Sequence, residues 1–325
     1  MSYTLKEIQQ LLEDSLQEEE IIREPRRLYE PIEYTMATGG KRLRPSLLLL
    51  ACNLYKKDVT AAMSAALGIE FFHNFTLLHD DIMDKAHTRR NQPTVHAKWN
   101  DNVAILSGDA MFIKAYEYLL KTQTPNYRKM LEVFNTTAME VCEGQQYDMD
   151  FEDRQVVSEA EYLEMIRLKT AVLLAAALKM GALAGDAPAA DADKLYRFGL
   201  NLGLGFQLQD DYLDVFGDPK VFGKKIGGDI CANKKTFLLI KALELAEGDD
   251  QEELQSWLER KEFEPEEKIK AVKTLYHKLH IADITRTKIH EFHRKAMDAL
   301  SQLELEKEAV KELEVLAQKL IDRSS

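Results

Sequence analysis

Phe71-Phe72-His73-Asn74-Phe75-Thr76-Leu77-Leu78 runs, one residue later, into Asp80-Asp81-Ile82-Met83-Asp84, so an apolar stretch ends in three carboxylates within five positions. Residues three and four apart share a face of an α-helix, which sets Asp80 over Asp84 with Asp81 alongside. Apolar residues recur at the same three- and four-residue spacing outward from this stretch, in residues 43–54, 61–83, 111–120, 162–183, 194–216 and 236–246. Alternating runs rich in Val, Ile and Thr are nearly absent. The pattern predicts an all-α chain of ten or so helices. The breaks at 38–40, 122–126, 185–188, 217–219, 248–250 and 262–267 mostly carry Gly or Pro, and none has the character of a flexible linker. A single domain over 1–325 is expected, with the more charged helices from Gly248 onward packed on the rest.

Composition narrows the function. The 325 residues hold 43 Lys+Arg against 55 Asp+Glu, a net charge of −12, with no basic tract, which excludes a general nucleic-acid binder. Cys52, Cys142 and Cys231 lie far apart with no CxxC pair, which fits a reducing, cytoplasmic setting better than a disulfide scaffold or a zinc site. No apolar run approaches the roughly 20 residues that span a bilayer, and residues 1–20 lack a signal-peptide pattern. A soluble protein without a stable membrane anchor is expected.

The acidic pattern occurs twice. Asp210-Asp211-Tyr212-Leu213-Asp214 follows Leu202-Gly203-Leu204-Gly205-Phe206, again an apolar helix ending in carboxylates. Three carboxylates so close repel one another unless a cation compensates, and oxygen-only ligands suit Mg²⁺, which binds one or two carboxylates together with substrate phosphates. Basic residues recur in Gly39-Gly40-Lys41-Arg42-Leu43-Arg44-Pro45, Arg89-Arg90, Lys169-Thr170, Gly223-Lys224-Lys225-Ile226-Gly227-Gly228-Asp229 and Asn233-Lys234-Lys235-Thr236. Cations beside acidic metal-binding clusters fit a magnesium-chelated diphosphate, whose oxygens Lys and Arg grip directly. Glu70-x-x-His73 matches half of a di-metal helix motif, but no second half accompanies it.

Gly-Gly-Lys-Arg-Leu-Arg-Pro at 39–45, the two Asp-Asp-x-x-Asp motifs, Arg89-Arg90, Lys169-Thr170 and Phe206-Gln207-x-x-Asp210-Asp211 together resemble the trans-type (head-to-tail) short-chain polyprenyl diphosphate synthases, over about residues 25–245. The resemblance implies the isoprenoid synthase type I fold, a helical bundle around a deep central cavity, as a homodimer. It implies condensation of isopentenyl diphosphate with an allylic diphosphate (dimethylallyl, geranyl or farnesyl) by ionisation, condensation and elimination. It also implies Mg²⁺, three ions per active site once diphosphate is bound. Asp80, Asp84 and Asp210 match the principal metal ligands, with Asp81, Asp211 and Asp214 in support. Arg89, Lys169, Gln207, Lys224 and Lys234 match positions holding the allylic diphosphate, with Thr170 beside Lys169; Lys41, Arg44, His73 and Arg90 match those holding isopentenyl diphosphate. Asp80, Asp81, Asp84, Asp210, Lys169 and Lys224 are the residues expected to act in the chemistry. One departure is Asn91, where the family usually has Gly after the two arginines; Asn tolerates left-handed backbone angles. Arg323 matches a basic tail residue poorly.

The same resemblance makes Phe75 a floor for the growing tail, about 7.5 Å below Asp80 at 1.5 Å per residue, with small Thr76 one step above. Bulk at one of these positions rather than both points to a twenty-carbon product, geranylgeranyl diphosphate, ahead of farnesyl diphosphate. A class I terpene cyclase would replace the second acidic motif with an Asn/Ser/Glu triad and lack Gly-Gly-Lys-x-x-Arg. A non-catalytic subunit of a heteromeric synthase tends to lose one acidic motif, and both are present.

Overall fold

The computed structural model describes residues 3–218 and 226–322. Helices α1 (Leu5–Gln17), α2 (Arg26–Ala37), α3 (Leu43–Asn53) and α4 (Thr60–Met83) lead to a small hairpin, β1 (Thr88–Arg89) and β2 (Gln92–Pro93). Then come α5 (Val95–Lys98), α6 (Asp101–Leu120), α7 (Tyr127–Asp153), α8 (Glu159–Ile166), a π-helical turn (Arg167–Ala171), α9 (Val172–Ala184) and α10 (Ala189–Phe216). The remainder is α11 (Gly228–Cys231), α12 (Phe237–Leu245), α13 (Asp249–Glu259), α14 (Pro265–Lys278), α15 (Ile281–Ser301) and α16 (Lys307–Ile321). The chain is all-α, as its periodicity predicts. Among the described residues no helix is long and apolar enough to cross a membrane.

Contacts divide the chain into two compact units that interleave in sequence. One comprises Met1–Asn135, Ala176–Tyr196 and Leu305–Leu313; the other comprises Thr136–Ala175, Arg197–Glu304 and Glu314–Ser325.

In the first unit α4 is apolar around most of its girth, burying Ala62, Ala65, Ala66, Leu67, Ile69, Phe71 and Phe72, the pattern of a helix enclosed by neighbours. Phe71 and Phe72 are 0 % and 1 % exposed, and burying a side chain of this kind stabilises by about 1.5–3 kcal/mol. Helix α3, with Leu47, Leu48 and Leu49 fully buried, and α6 pack against it. Helix starts are set by side chains: Thr4 and Glu7 form a reciprocal capping box on α1, and Asn100 accepts from the Val103 amide at the start of α6. The hairpin pairs Thr88 with Pro93 and Arg89 with Gln92. Its two turn residues, Arg90 at φ 51° and Asn91 at φ 61°, are both left-handed, as a two-residue type I′ connection demands. The sequence gives no period-2 signal for strands this short.

The second unit has one apolar core containing Tyr162, Leu208, Tyr212, Phe237 and Phe292, and another containing Leu238, Leu254, Val272 and Ile281. Glu159 accepts from both Lys241 (2.6 Å) and Lys288 (2.8 Å). The single helix expected over 162–183 is instead broken by the π turn. That turn is one residue too wide for α-geometry, and its backbone bulges against two glycines. A Cβ at Gly144 would stand 2.2 Å from the Lys169 amide nitrogen, and one at Gly203 would stand 2.5 Å from Ala171 Cα. Two side-chain-free neighbours give the wider turn its room.

Candidate functional site

The first cluster lies in the first unit, at the C-terminal end of α4. Asp80 and Asp81 occupy its last turn and Asp84 is its C-cap, with no basic residue in that turn. A helix C-terminus carries partial negative charge, so three carboxylates there compound one another's repulsion. Arg89 relieves part of it, its Nε donating to Asp81 (2.7 Å) and its Nη2 to Asp80 (3.2 Å). Burial raises the Asp81 carboxyl above its usual range and Arg89 works against that rise.

A second feature of this unit is a surplus of guanidinium groups. Arg42, left-handed at φ 45° just before α3, donates to buried Glu70 (2.7 Å) and to the Met36 carbonyl (2.7 Å). Glu70 therefore serves an arginine rather than a metal pair, and Asn74 also donates to it (2.9 Å). Arg44 Nη1 lies 2.9 Å from His73 Nε2. Burial, reinforced by Arg44, Arg90, Arg89 and Arg42, holds His73 well below its ordinary value. It stays neutral, and Nε2 then accepts from Arg44. Burial also lowers Arg44 to about 10, with Glu70 opposing the fall. Arg90 donates to the Gly39 carbonyl. Its guanidinium lies 2.8–2.9 Å from where a Cβ on Gly40 would stand, and Gly40 itself is at φ 144°. Four arginines around one buried carboxylate and one aspartate cluster are groups of the kind that suit an anion with several oxygens. Lys41, exposed, precedes Arg42 on the same loop.

The second cluster lies in the second unit, at the C-terminal end of α10, again without a basic residue in the last turn. Asp210 and Asp214 are half-buried, one helical turn apart, while Asp211 is buried. Both Asp211 oxygens are engaged, by the Tyr162 hydroxyl (2.5 Å) and by Gln207 Nε2 (2.9 Å). Gln207 in turn accepts from the Thr170 hydroxyl (3.1 Å). Asp211 is thus a buttress linking α10 to α8 and the π turn, and burial raises it to about 6. The Asp229 amide donates to Asp214 (3.0 Å). Burial, then the charges of Asp211 and Asp214, push the Asp229 carboxyl up to about 8. Asp210 and Asp214 present carboxyl oxygens at a negative helix end, with Asp211 and Asp229 beside them, and carboxylate oxygens are the donors that a hard divalent cation such as Mg²⁺ takes.

Opposing cations stand in the same unit. Lys169, on the π turn, donates to Asp148 (2.6 Å), and Lys234 Nζ is 3.7 Å from the same carboxylate. Burial alone would raise Asp148, but Lys234 and Lys169 outweigh it and hold it below its usual range. Asp148, Tyr162 and Asp229 are functional candidates that the sequence reading passed over. Asp148 stands four residues after Gly144 on α7, and only the tertiary approach of the π turn links it to Lys169. Lys224 and Arg323 lie outside the described residues.

Phe75, half-buried, stacks on Phe112 of α6 (centroids 5.2 Å, 29°) and meets Phe72 (5.6 Å) and His79 (4.8 Å) edgewise or tilted. Phe112 touches Tyr116, which touches Phe134. Thr76 donates to the His73 carbonyl (2.8 Å), which turns its hydroxyl back along α4. Phe75 is therefore one ring of a six-ring cluster, and Phe112 is its stacking partner from α6.

The polyprenyl synthetase family model matches residues 25–276. Geranylgeranyl diphosphate synthase of Methanosarcina mazei is 45% identical over 225 residues, 69% of each chain. A crystal structure of a geranylgeranyl pyrophosphate synthase superposes with a TM-score of 0.94 at 43% identity, covering 99% of this chain and 100% of that one. A polyprenyl synthase from Caulobacter crescentus, solved with calcium and isoprenyl diphosphate, has a TM-score of 0.85 at 29% identity, covering 100% and 99%.

Proposed function

The chain belongs to the polyprenyl synthetase family, and from that premise we propose that it condenses isopentenyl diphosphate with allylic diphosphates to make geranylgeranyl diphosphate. The observation that carries this reading is the pair of aspartate clusters, each stacked on a negative helix end and each with lysine or arginine in its own unit. Such groups suit a ligand that is both metal-chelating and polyanionic, and a diphosphate is the smallest that fits both. The two units are read as one catalytic domain.

Asp80, Asp84 and Asp210 would hold the metal, with Asp81, Asp211 and Asp214 in support and three ions in the diphosphate-loaded site. Bound Mg²⁺ supplies charge neutralisation on the departing diphosphate. Arg89, Lys169, Gln207, Lys224 and Lys234 bind and orient the allylic diphosphate, Thr170 fixing Gln207. Asp148 holds Lys169 and Lys234 as charged, directed donors, so their field stands ready before ionisation and needs no reorganisation during it. Lys41, Arg44, Arg90 and neutral His73 hold isopentenyl diphosphate, whose double bond attacks the allylic cation; a proton is then lost to the released diphosphate. Apolar walls keep out water that would quench the cation.

The test is a product assay. Purified protein with Mg²⁺ and isopentenyl diphosphate receives dimethylallyl, geranyl or farnesyl diphosphate, and the products are sized by mass spectrometry. A ladder ending at twenty carbons is expected. A stop at fifteen would make it a farnesyl diphosphate synthase, and no elongation from folded protein would overturn the reading.

The protein is further read as a cytoplasmic homodimer. Leu106, Ile113 and Leu120 are 59%, 61% and 67% exposed and lie seven apart on α6, so they line up along one face as apolar side chains that a second copy would cover. All three cysteines are free, as in a reducing compartment. Ile113→Glu is expected to halve the mass measured by light scattering; an unchanged mass would remove this stripe from the interface.

A further inference from the structure

Lys268 on α14 is 0% exposed. Its Nζ donates to Asn233 Oδ1 at 2.7 Å and lies 4.2 Å above the Phe263 ring. Among the described residues no carboxylate pairs with it, and burial holds its ammonium below the ordinary lysine range. A buried cation with only a neutral acceptor and a ring face is an unfavourable way to fill space. Methionine, of similar length, would pack there without that penalty.

Asn233 explains what the ammonium holds. It is left-handed at φ 53° and directly precedes Lys234. Its side chain is gripped at both ends, Oδ1 by Lys268 and Nδ2 by the Leu258 carbonyl (3.0 Å). The turn is closed by the Lys234 amide on the Asp229 carbonyl (2.9 Å) and the Thr236 amide on the Lys234 carbonyl (2.8 Å). The backbone that aims Lys234 towards Asp148 is therefore tied to the rest of the unit by these backbone bonds and by the Asn233 side chain, whose Oδ1 is held by Lys268.

We propose that Lys268 is a positioning residue for the allylic diphosphate, acting through Asn233 to fix the turn that presents Lys234. This rests on the assignment of Lys234 to that diphosphate. No contact of Lys268 with substrate is involved.

The test is steady-state kinetics on the full chain, with geranyl and isopentenyl diphosphates varied separately. K268M is expected to raise KM for geranyl diphosphate about tenfold, the size of one charge-assisted contact. KM for isopentenyl diphosphate should stay within about twofold, and Tm should hold or rise because a buried charge has been removed. N233G accepts the left-handed angle without strain but lacks the gripped side chain, so it should show the same split. On a K234A background K268M should add nothing, since residues acting through one another are non-additive. If K234A raises KM for geranyl diphosphate but K268M and N233G do not, the positioning role is overturned and the Lys234 assignment stands. If K234A itself leaves that KM unchanged, the assignment fails and the proposal falls with it. Equal loss for both substrates with a lowered Tm would show a general structural role and would also overturn it.

Discussion

Gly144→Ala should lower kcat/KM for the allylic diphosphate about a hundredfold while the protein stays folded. The added Cβ would meet the Lys169 amide nitrogen at 2.2 Å, the Leu168 carbonyl carbon at 2.7 Å and Lys169 Cα at 2.7 Å. All three are backbone atoms, so no flexible side chain can swing aside. The π turn must retreat from α7 by about the thickness of a methyl group, and it carries Lys169 and Thr170 with it. Overpacking of this kind costs about 1–3 kcal/mol, too little to unfold a protein of ordinary stability. The catalytic effect is larger because a misplacement of about 1 Å can remove a hundredfold in rate. Lys169 would lose its bond to Asp148, and Thr170 its bond to Gln207, which braces Asp211. Lys169→Ala should show a loss of similar size, and the double variant little more than either alone. Wild-type kinetics in Gly144→Ala would mean that the π turn does not set the position of Lys169.

The helices and both acidic motifs were legible in the sequence because each is a local pattern. Apolar spacing of three and four reports a helix face, and Asp-Asp-x-x-Asp at the end of an apolar run reports charge at a helix end. What escaped was tertiary. The π turn looks like continuous helix in residues 162–183, since a one-residue widening leaves the apolar pattern nearly intact and its cause, Gly144 and Gly203, lies on two other helices. Asp148 carries no distinguishing neighbour in sequence. Its role follows only from Lys169 and Lys234 converging on it. Glu70 was visible as half of a metal motif, yet its carboxylate answers Arg42, a residue 28 positions earlier. Asn91 was legible as a departure from Gly, and it and Arg90 adopt the left-handed angles of a tight hairpin.

If Phe75 is the floor that the family resemblance makes it, replacing it should lengthen the product, and removing its partner as well should lengthen it further. Phe75→Ala opens space along α4, but the Phe112 ring that stacks on it at 5.2 Å remains, backed by Tyr116 and Phe134. A single substitution is therefore expected to yield a mixture in which products beyond twenty carbons appear beside the original one. Phe75→Ala/Phe112→Ala removes both stacked rings and should shift the mixture to chains at least one isoprene unit longer than either single variant gives. The stability cost stays below the roughly 3–5 kcal/mol of a fully buried Phe→Ala change at each site, because both rings are only half-buried. The opposite change, Thr76→Phe, adds bulk one position nearer Asp80 and should shorten the product to fifteen carbons. Mass spectrometry of the extracted prenyl products checks both single variants, the double variant and Thr76→Phe beside the wild type in one experiment. If the double variant keeps the wild-type distribution, the aromatic cluster is core packing and the tail is stopped elsewhere. If Thr76→Phe alone changes the product, the stop lies above Phe75, and the stacked rings below it have no part in setting length.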